Sequence, residues 1–271
     1  MELQELRKAP HLSASAINNY IDCGLQFKFS RIDRLEPEFT PESLEFGSIM
    51  HLVLADLYRE KMAGNKLTLK KLLSLLTKYC KEAVKENKDI EFGEGHDFET
   101  FLAQGKTLLT TYYEKLPAND FKVISVEEPF RHIIPGLEIP VIGVTDLVEE
   151  DKQGTIIITD WKTSAGSYSS DRIDKNFQLT LYYMALKASG YADREILLRI
   201  DCLIKTKTPK FEQYYTTRTE LDEKRAIRKI LQVWDGIRKG VFIPNDGHWK
   251  CSGCSYKTYC DEWFTAGGDG Q

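Results

Sequence analysis

No uninterrupted apolar run in the 271 residues approaches the roughly 18 that a membrane span requires, so the sequence predicts no transmembrane helix. The N-terminus, Met1-Glu2-Leu3-Gln4-Glu5, opens on acids and lacks the apolar stretch of a secretory signal; a cytoplasmic protein is expected. Positive charge is not in excess either. With 37 Lys and Arg against 41 Asp and Glu the net charge is −4, which argues against indiscriminate coating of phosphate backbone, although a local basic patch can still dock one. There is no internal repeat and no low-complexity linker. Gln104-Gly105-Lys106-Thr107 imitates the end of a phosphate-binding loop, but Thr100 stands where that motif requires glycine, so no intrinsic ATPase is expected.

What is present is enough apolar residue, 42% of the chain, to bury a substantial core. One domain over residues 1–271 is expected: a helical part to about 118, a sheet core over about 119–205, and a C-terminal helix and tail from about 206. Helical signals run from Leu12 to Tyr20, capped by Ser13 or Ser15, and over Pro41–Met62, Leu67–Val84 and Phe98–Tyr113. The period then changes. Phe121–Phe130, Ile139–Glu149 and Thr155–Trp161 are short, β-branched and bounded by turn residues. A helix over Asn176–Ser189 closes at Gly190, and a strand follows at Glu195–Ile204. A long charged helix over Glu220–Lys239 precedes a cysteine-rich tail ending in Gly267-Gly268-Asp269-Gly270, expected to be frayed.

Strand alternation in Thr159-Asp160-Trp161-Lys162 puts Asp160 and Lys162 on one face and Trp161 on the other. Gly143-Val144-Thr145-Asp146 belongs to the preceding strand, and a hairpin through Gly154 brings Asp146 towards Asp160. Two carboxylates beside a lysine suit a hard divalent cation, Mg²⁺ or Mn²⁺, of the kind phosphodiester hydrolysis uses. Lys162 could orient the attacking water or stabilise charge on the phosphate. An isolated D-x-K is far more often an ordinary ion pair on a surface hairpin than a metal site, so its context decides.

Six cysteines in a reducing compartment are more often metal ligands or catalytic groups than disulfides. Cys23 with Cys251-Ser252-Gly253-Cys254 and Cys260 has metal-ligand spacing, and four thiolates suit either an iron–sulfur cluster or a structural Zn²⁺. Cys80 and Cys202 fall in helical and strand patterns as ordinary buried residues. Lys205, Lys207, Lys210, Lys224, Arg225, Arg228, Lys229, Arg238 and Lys239 could follow a nucleic-acid strand. They could equally be a solvated face balanced by Glu220, Asp222 and Glu223.

Taken together these residues resemble the PD-(D/E)XK nucleases, in particular the RecB-like exonuclease branch that includes the AddB nuclease domain and the CRISPR-associated adaptation exonuclease. Phe46-Gly47-Ser48-Ile49-Met50-His51 resembles the branch's G-x-x-x-H helix, whose histidine contributes to the metal site; on a helix Gly47 lies one turn from His51 and leaves room there. Gln178-Leu179-Thr180-Leu181-Tyr182 resembles its Q-x-x-x-Y motif, which could bind the DNA backbone or position Lys162. Val123–Phe130 resembles its acidic strand, with Glu128 rather than Glu127 as the match. Leu147 stands where the family often has arginine, and Asp160 where glutamate is commoner.

The resemblance implies an α/β fold with an αβββαβ core on a mixed central sheet, an N-terminal helical region and a C-terminal metal-cluster tail. It implies a catalytic set of Asp146, Asp160, Lys162, Gln178 and Tyr182, with metal held by His51, Asp146 and Asp160, and a 4Fe-4S cluster on Cys23, Cys251, Cys254 and Cys260. The implied reaction is Mg²⁺- or Mn²⁺-dependent hydrolysis of DNA, at single strands or free ends, with a helicase or CRISPR integrase as the kind of partner. The alternatives are a catalytically idle, cluster-stabilised DNA-binding or assembly subunit, and a structure-specific endonuclease.

Overall fold

The structure, a computed structural model, describes residues 2–247 and 249–266. The predicted glycine-rich fray at 267–270 lies outside them. Five strands form one mixed sheet in sequence order: β1 (Lys122–His132), β2 (Val141–Glu150), β3 (Ile156–Ser164), β4 (Ile196–Ile204) and β5 (Lys210–Thr216). The pairs β1–β2, β2–β3 and β4–β5 are antiparallel, whereas β3 and β4 are parallel. A parallel pair needs a crossover, and the segment carrying the predicted Gln178 helix supplies it.

The longer helices are α1 (Ala14–Asp22), α2 (Glu42–Met62), α3 (Leu69–Glu86), α4 (Phe98–Lys115), α5 (Phe177–Leu186), α6 (Glu220–Arg238) and α7 (Lys257–Thr265). Of the two predicted caps for α1, Ser13 is the one used: its Oγ accepts the Ala16 N–H at 3.1 Å. Helix α5 stops at Leu186, short of the expected Ser189, and a wider π-turn over Lys187–Tyr191 carries the chain to Gly190 at φ 100°. Strand β5 was absent from the sequence-based expectation. The lysines around it form the β4–β5 turn and the strand's start.

Helices α2, α3 and α4 cover one face of the sheet. Their Met50, Leu72 and Leu108 pack against Leu147, Trp161 and Leu203, and α3 buries Leu72, Leu76 and Cys80 on one stripe four residues apart. The opposite face meets α5, where Leu179, Tyr182 and Leu186 pack on Ile158, Leu198 and Ile200. A third cluster joins α1 to α5 and α6 through Ile17, Leu181 and Ile230. A fourth ties the two ends of the chain together: Leu25 and Phe29 pack on Tyr256 beside Cys23, Cys254 and Cys260.

Beneath the α2–α4 layer, Arg199 meets Glu149 at 3.0 Å and Asp201 at 2.9 Å, with all three side chains no more than 1% exposed. Removing one member of such a group strands the remaining charges away from water. Arg199→Met is expected to lower the unfolding free energy by about 3–5 kcal/mol, read from urea denaturation, while a change under 1 kcal/mol would contradict this account.

Candidate active site

The β2–β3 ladder ends at Leu147↔Thr159. Beyond that pair the strands part, and the Trp161 N–H donates to the Asp146 carboxylate at 2.8 Å instead of to a neighbouring strand. The splayed end holds Asp146, Asp160 and Lys162 on the α5 side, with Trp161 on the other, as alternation requires. Asp160 is fully buried: one oxygen takes the Lys162 ammonium at 2.7 Å, and the other, Oδ2, has no hydrogen-bond partner. Helix α5 closes the arrangement. The Gln178 carbonyl oxygen accepts from Lys162 at 3.2 Å, its amide nitrogen donates to the Tyr182 hydroxyl at 2.6 Å, and Tyr182 donates to Asp146 at 3.4 Å. The Q-x-x-x-Y pair thus links Lys162 to Asp146 and fixes both.

His51 reaches this end from α2, on the opposite face. Its Nε2 lies 2.8 Å from the Trp161 carbonyl oxygen. A carbonyl only accepts, so Nε2 carries the hydrogen and a neutral ring presents its Nδ1 lone pair to the site. That Nδ1 is 3.5 Å from Asp146 and 3.8 Å from Glu127. Trp161 is the support behind it: the indole meets the imidazole edge-on at 5.7 Å and stacks on Tyr58 at 5.7 Å. Gly47 adjoins the same groove, yet a Cβ there would meet only Thr163 Oγ1 at 3.9 Å. The room it leaves is towards the strand end, and steric need beside the imidazole does not explain it.

The acid that joins the site is Glu127, where the family pattern had favoured Glu128. The β1–β2 register, Val126↔Leu147 and Glu128↔Thr145, sets Glu127 opposite Asp146. Glu127 adopts φ 51°, a left-handed conformation that costs a non-glycine residue of order 1–3 kcal/mol and is found where a site holds it in place. Glu128 is exposed.

Electrostatically the site is under tension. Burial and then the neighbouring Asp160 push the Asp146 carboxyl up to about 7. Burial pulls the His51 imidazole down, but Glu127 and Asp146 outweigh it and leave its pKa raised. For Lys162, burial likewise lowers and Asp160 and Asp146 raise, with a net rise. The positive charge of a divalent cation would relieve the carboxylate repulsion. His51, Glu127 and Asp146 each offer one ligand atom, all within 4.8 Å of one another, the only such group of three His, Cys, Asp or Glu among the described residues. The unpartnered Oδ2 of Asp160 is a further unsatisfied acceptor. This donor set, oxygens with one imidazole, fits a hard divalent ion.

The sequence model of the PD-(D/E)XK nuclease superfamily matches residues 11–261. The chain belongs to that superfamily. PD-(D/E)XK nucleases use divalent metals, in keeping with the donor set just described. Among solved structures, a protein from Eubacterium rectale described as a candidate exonuclease is similar, with TM-score 0.58 and 12% identity over 92% of this chain and 90% of that one. The structure of SSO0001 matches at TM-score 0.44 and 14% identity over 96% and 92% of the two chains. No curated protein sequence matches the chain. No helix among the described residues of this PD-(D/E)XK protein is long and apolar enough to cross a membrane.

The four cysteines of the predicted cluster, Cys23, Cys251, Cys254 and Cys260, line one cavity of about 250 Å³ between the N-terminal segment and α7. Gln26 approaches two of them, through its N–H to Cys23 Sγ at 3.5 Å and its amide to Cys254 Sγ at 3.6 Å. Burial raises the Cys254 and Cys260 thiols. Cys80 and Cys202 are buried elsewhere, and burial pushes both thiols up to about 11.

Proposed function

We propose that this chain is a metal-dependent deoxyribonuclease of the RecB-like exonuclease branch, a single domain that hydrolyses single-stranded DNA or DNA ends. The convergence of His51, Glu127 and Asp146 beside the Asp160–Lys162 pair carries the reading. These four non-lysine side chains would hold Mg²⁺ or Mn²⁺. A divalent cation held there supplies Lewis acidity towards the phosphodiester and lowers the pKa of water at neutral pH. Lys162, oriented by Asp160 and Gln178, presents its ammonium to the charge that develops on the phosphate. Tyr182 and the Trp161 N–H hold the Asp146 carboxylate in one orientation, and the His51–Trp161 bond holds the imidazole tautomer. The branch resemblance adds a cytoplasmic setting and a helicase or CRISPR integrase as the class of partner.

The same reading puts a 4Fe-4S cluster on Cys23, Cys251, Cys254 and Cys260. All four line one cavity of about 250 Å³, which supports a single shared metal centre there.

Cleavage of 5′- and 3′-labelled oligonucleotides, beside end-blocked linear and circular DNA, tests the activity. Products confined to free ends are expected, and no cleavage with either metal would refute the nuclease reading. Within the site, His51→Ala and Glu127→Ala are expected to raise the metal concentration needed for half-maximal rate by about tenfold or more, with Mn²⁺ rescuing His51→Ala better than Mg²⁺. Glu128→Ala should titrate like the parent. Reversal of the two glutamates in that titration would move the acidic ligand back to Glu128.

A further inference from the structure

The largest groove at the active site runs from Asp146, Gln178 and Tyr182 to the N-terminal segment, encloses about 790 Å³, and is far larger than a cation requires. Its outer wall is polar and basic: Arg7, His11, Ser13, Ser15, Asn18 and Arg31. Neither arginine forms an ion pair among the described residues, and both are exposed. The basic helix α6 differs. There Lys224 meets Glu220 at 3.5 Å, Arg225 meets Asp222 at 3.7 Å, Lys239 meets Asp235 at 2.7 Å and Arg238 pairs with Glu138. In a chain of net charge −4, two unneutralised guanidinium groups in the groove that Asp146 lines need an anionic partner more than these four already paired cations do.

We propose that Arg7 and Arg31 form an arm that grips the phosphates of a single DNA strand and leads it into the Asp146 site. This rests on the nuclease reading above and adds where the strand lies. Guanidinium is permanently charged and its forked donors match phosphate oxygens. The hydroxyls of Ser13 and Ser15, 3.0 Å apart, and the Asn18 amide supply the neutral donors that accompany such contacts. The same groove is lined by Asp146, Gln178 and Tyr182, so a strand held by the arginines passes across the metal site. The arginines are anchored from two sides. Arg7 ends the short turn of helix Leu3–Leu6, whose Leu6 is buried, and Arg31 lies in the turn Lys28–Ile32, whose Phe29 packs on Tyr256.

Fluorescence anisotropy of a labelled oligo(dT) in EDTA, where binding is read without cleavage, tests the arm across a NaCl titration. Arg7→Ala/Arg31→Ala is expected to raise Kd by about ten- to hundredfold and to flatten the slope of log K against log[NaCl] by about 1.4, two phosphate contacts on a single strand. Arg7→Lys/Arg31→Lys, which retains charge but loses the fork, should keep the slope and lose part of the affinity. Lys224→Ala/Arg225→Ala should bind as the parent does, and equal melting curves check folding. A parental Kd and slope in the alanine double variant, or no binding by the parent itself, overturns the arm. Binding by the parent with no cleavage in Mg²⁺ or Mn²⁺ overturns the nuclease reading instead and leaves the arm to be judged on affinity.

Discussion

Asp146→Asn is expected to abolish DNA cleavage and, in metal-free protein near pH 7, to raise stability. The two effects share one cause. In the folded chain burial and Asp160 push the Asp146 carboxyl from 3.8 up to about 7, so ionising it opposes folding. The sign follows from proton binding. Between about pH 4 and pH 7 the folded state holds a proton that the unfolded state has released, so stability falls as pH rises through that window. Asparagine removes the ionisation and still accepts from the Trp161 N–H. A gain of a few kcal/mol is expected at pH 7–8 in EDTA, vanishing by pH 4, since each tenfold difference in proton affinity between folded and unfolded chain corresponds to about 1.4 kcal/mol. Catalysis goes the other way: a cation-centred contribution of several kcal/mol amounts to about 10³-fold or more in rate. Asp160→Ala and Lys162→Ala should also reduce cleavage by about that much, with DNA affinity in EDTA largely retained. Near-parental turnover in any of the three, or an Asp146→Asn variant no more stable at pH 7 than the parent, would sink this account of the site.

Loss of a cluster cysteine should be the most damaging change to the fold. Cys23 and Cys251 are 228 positions apart (251 − 23), and a disulfide closing so long a loop would stabilise by about 5 kcal/mol through restriction of the unfolded chain. A cluster bridging the same positions acts in the same sense. A whole domain has only about 5–15 kcal/mol of net stability. Cys23→Ser or Cys260→Ser is therefore expected to cut soluble yield sharply and lower the denaturation midpoint, with the loss in activity following the loss of folded protein. Protein prepared anaerobically should be brown with about four iron atoms per chain. Colourless protein carrying one zinc would reject the cluster and keep the clamp; metal-free protein as stable as the parent would reject both.

Much of the site was readable because it obeys local periods. Asp160 and Lys162 share a face since a strand repeats in twos, and Gln178 and Tyr182 meet because a helix brings residues four apart together. Asp146 could be paired with them from the intervening hairpin alone. Glu127 escaped for a definable reason: Glu128 was chosen by resemblance to the family's acidic strand, and the left-handed backbone that sets Glu127 opposite Asp146 leaves no mark in the sequence. Strand β5 escaped because Lys210–Thr216 is a half-buried edge strand without clean alternation, and its lysines suggested a nucleic-acid path instead. Arg7 and Arg31 carry no signal of any period. Their common groove exists only after α1 and β2 have packed, an arrangement set by contacts far apart in sequence.

The joining of the chain's ends also sets an order of events during synthesis. Phe29 emerges 227 residues before Tyr256, the ring it packs against (256 − 29). At about 5–20 residues per second that interval is on the order of 10–50 s. Throughout it Leu25 and Phe29 have no cover, and the nascent chain offers chaperones and proteases an apolar handle. Only a chain extended past Tyr256 can hide it, so this corner of the molecule reports whether the segment around Tyr256 has been made.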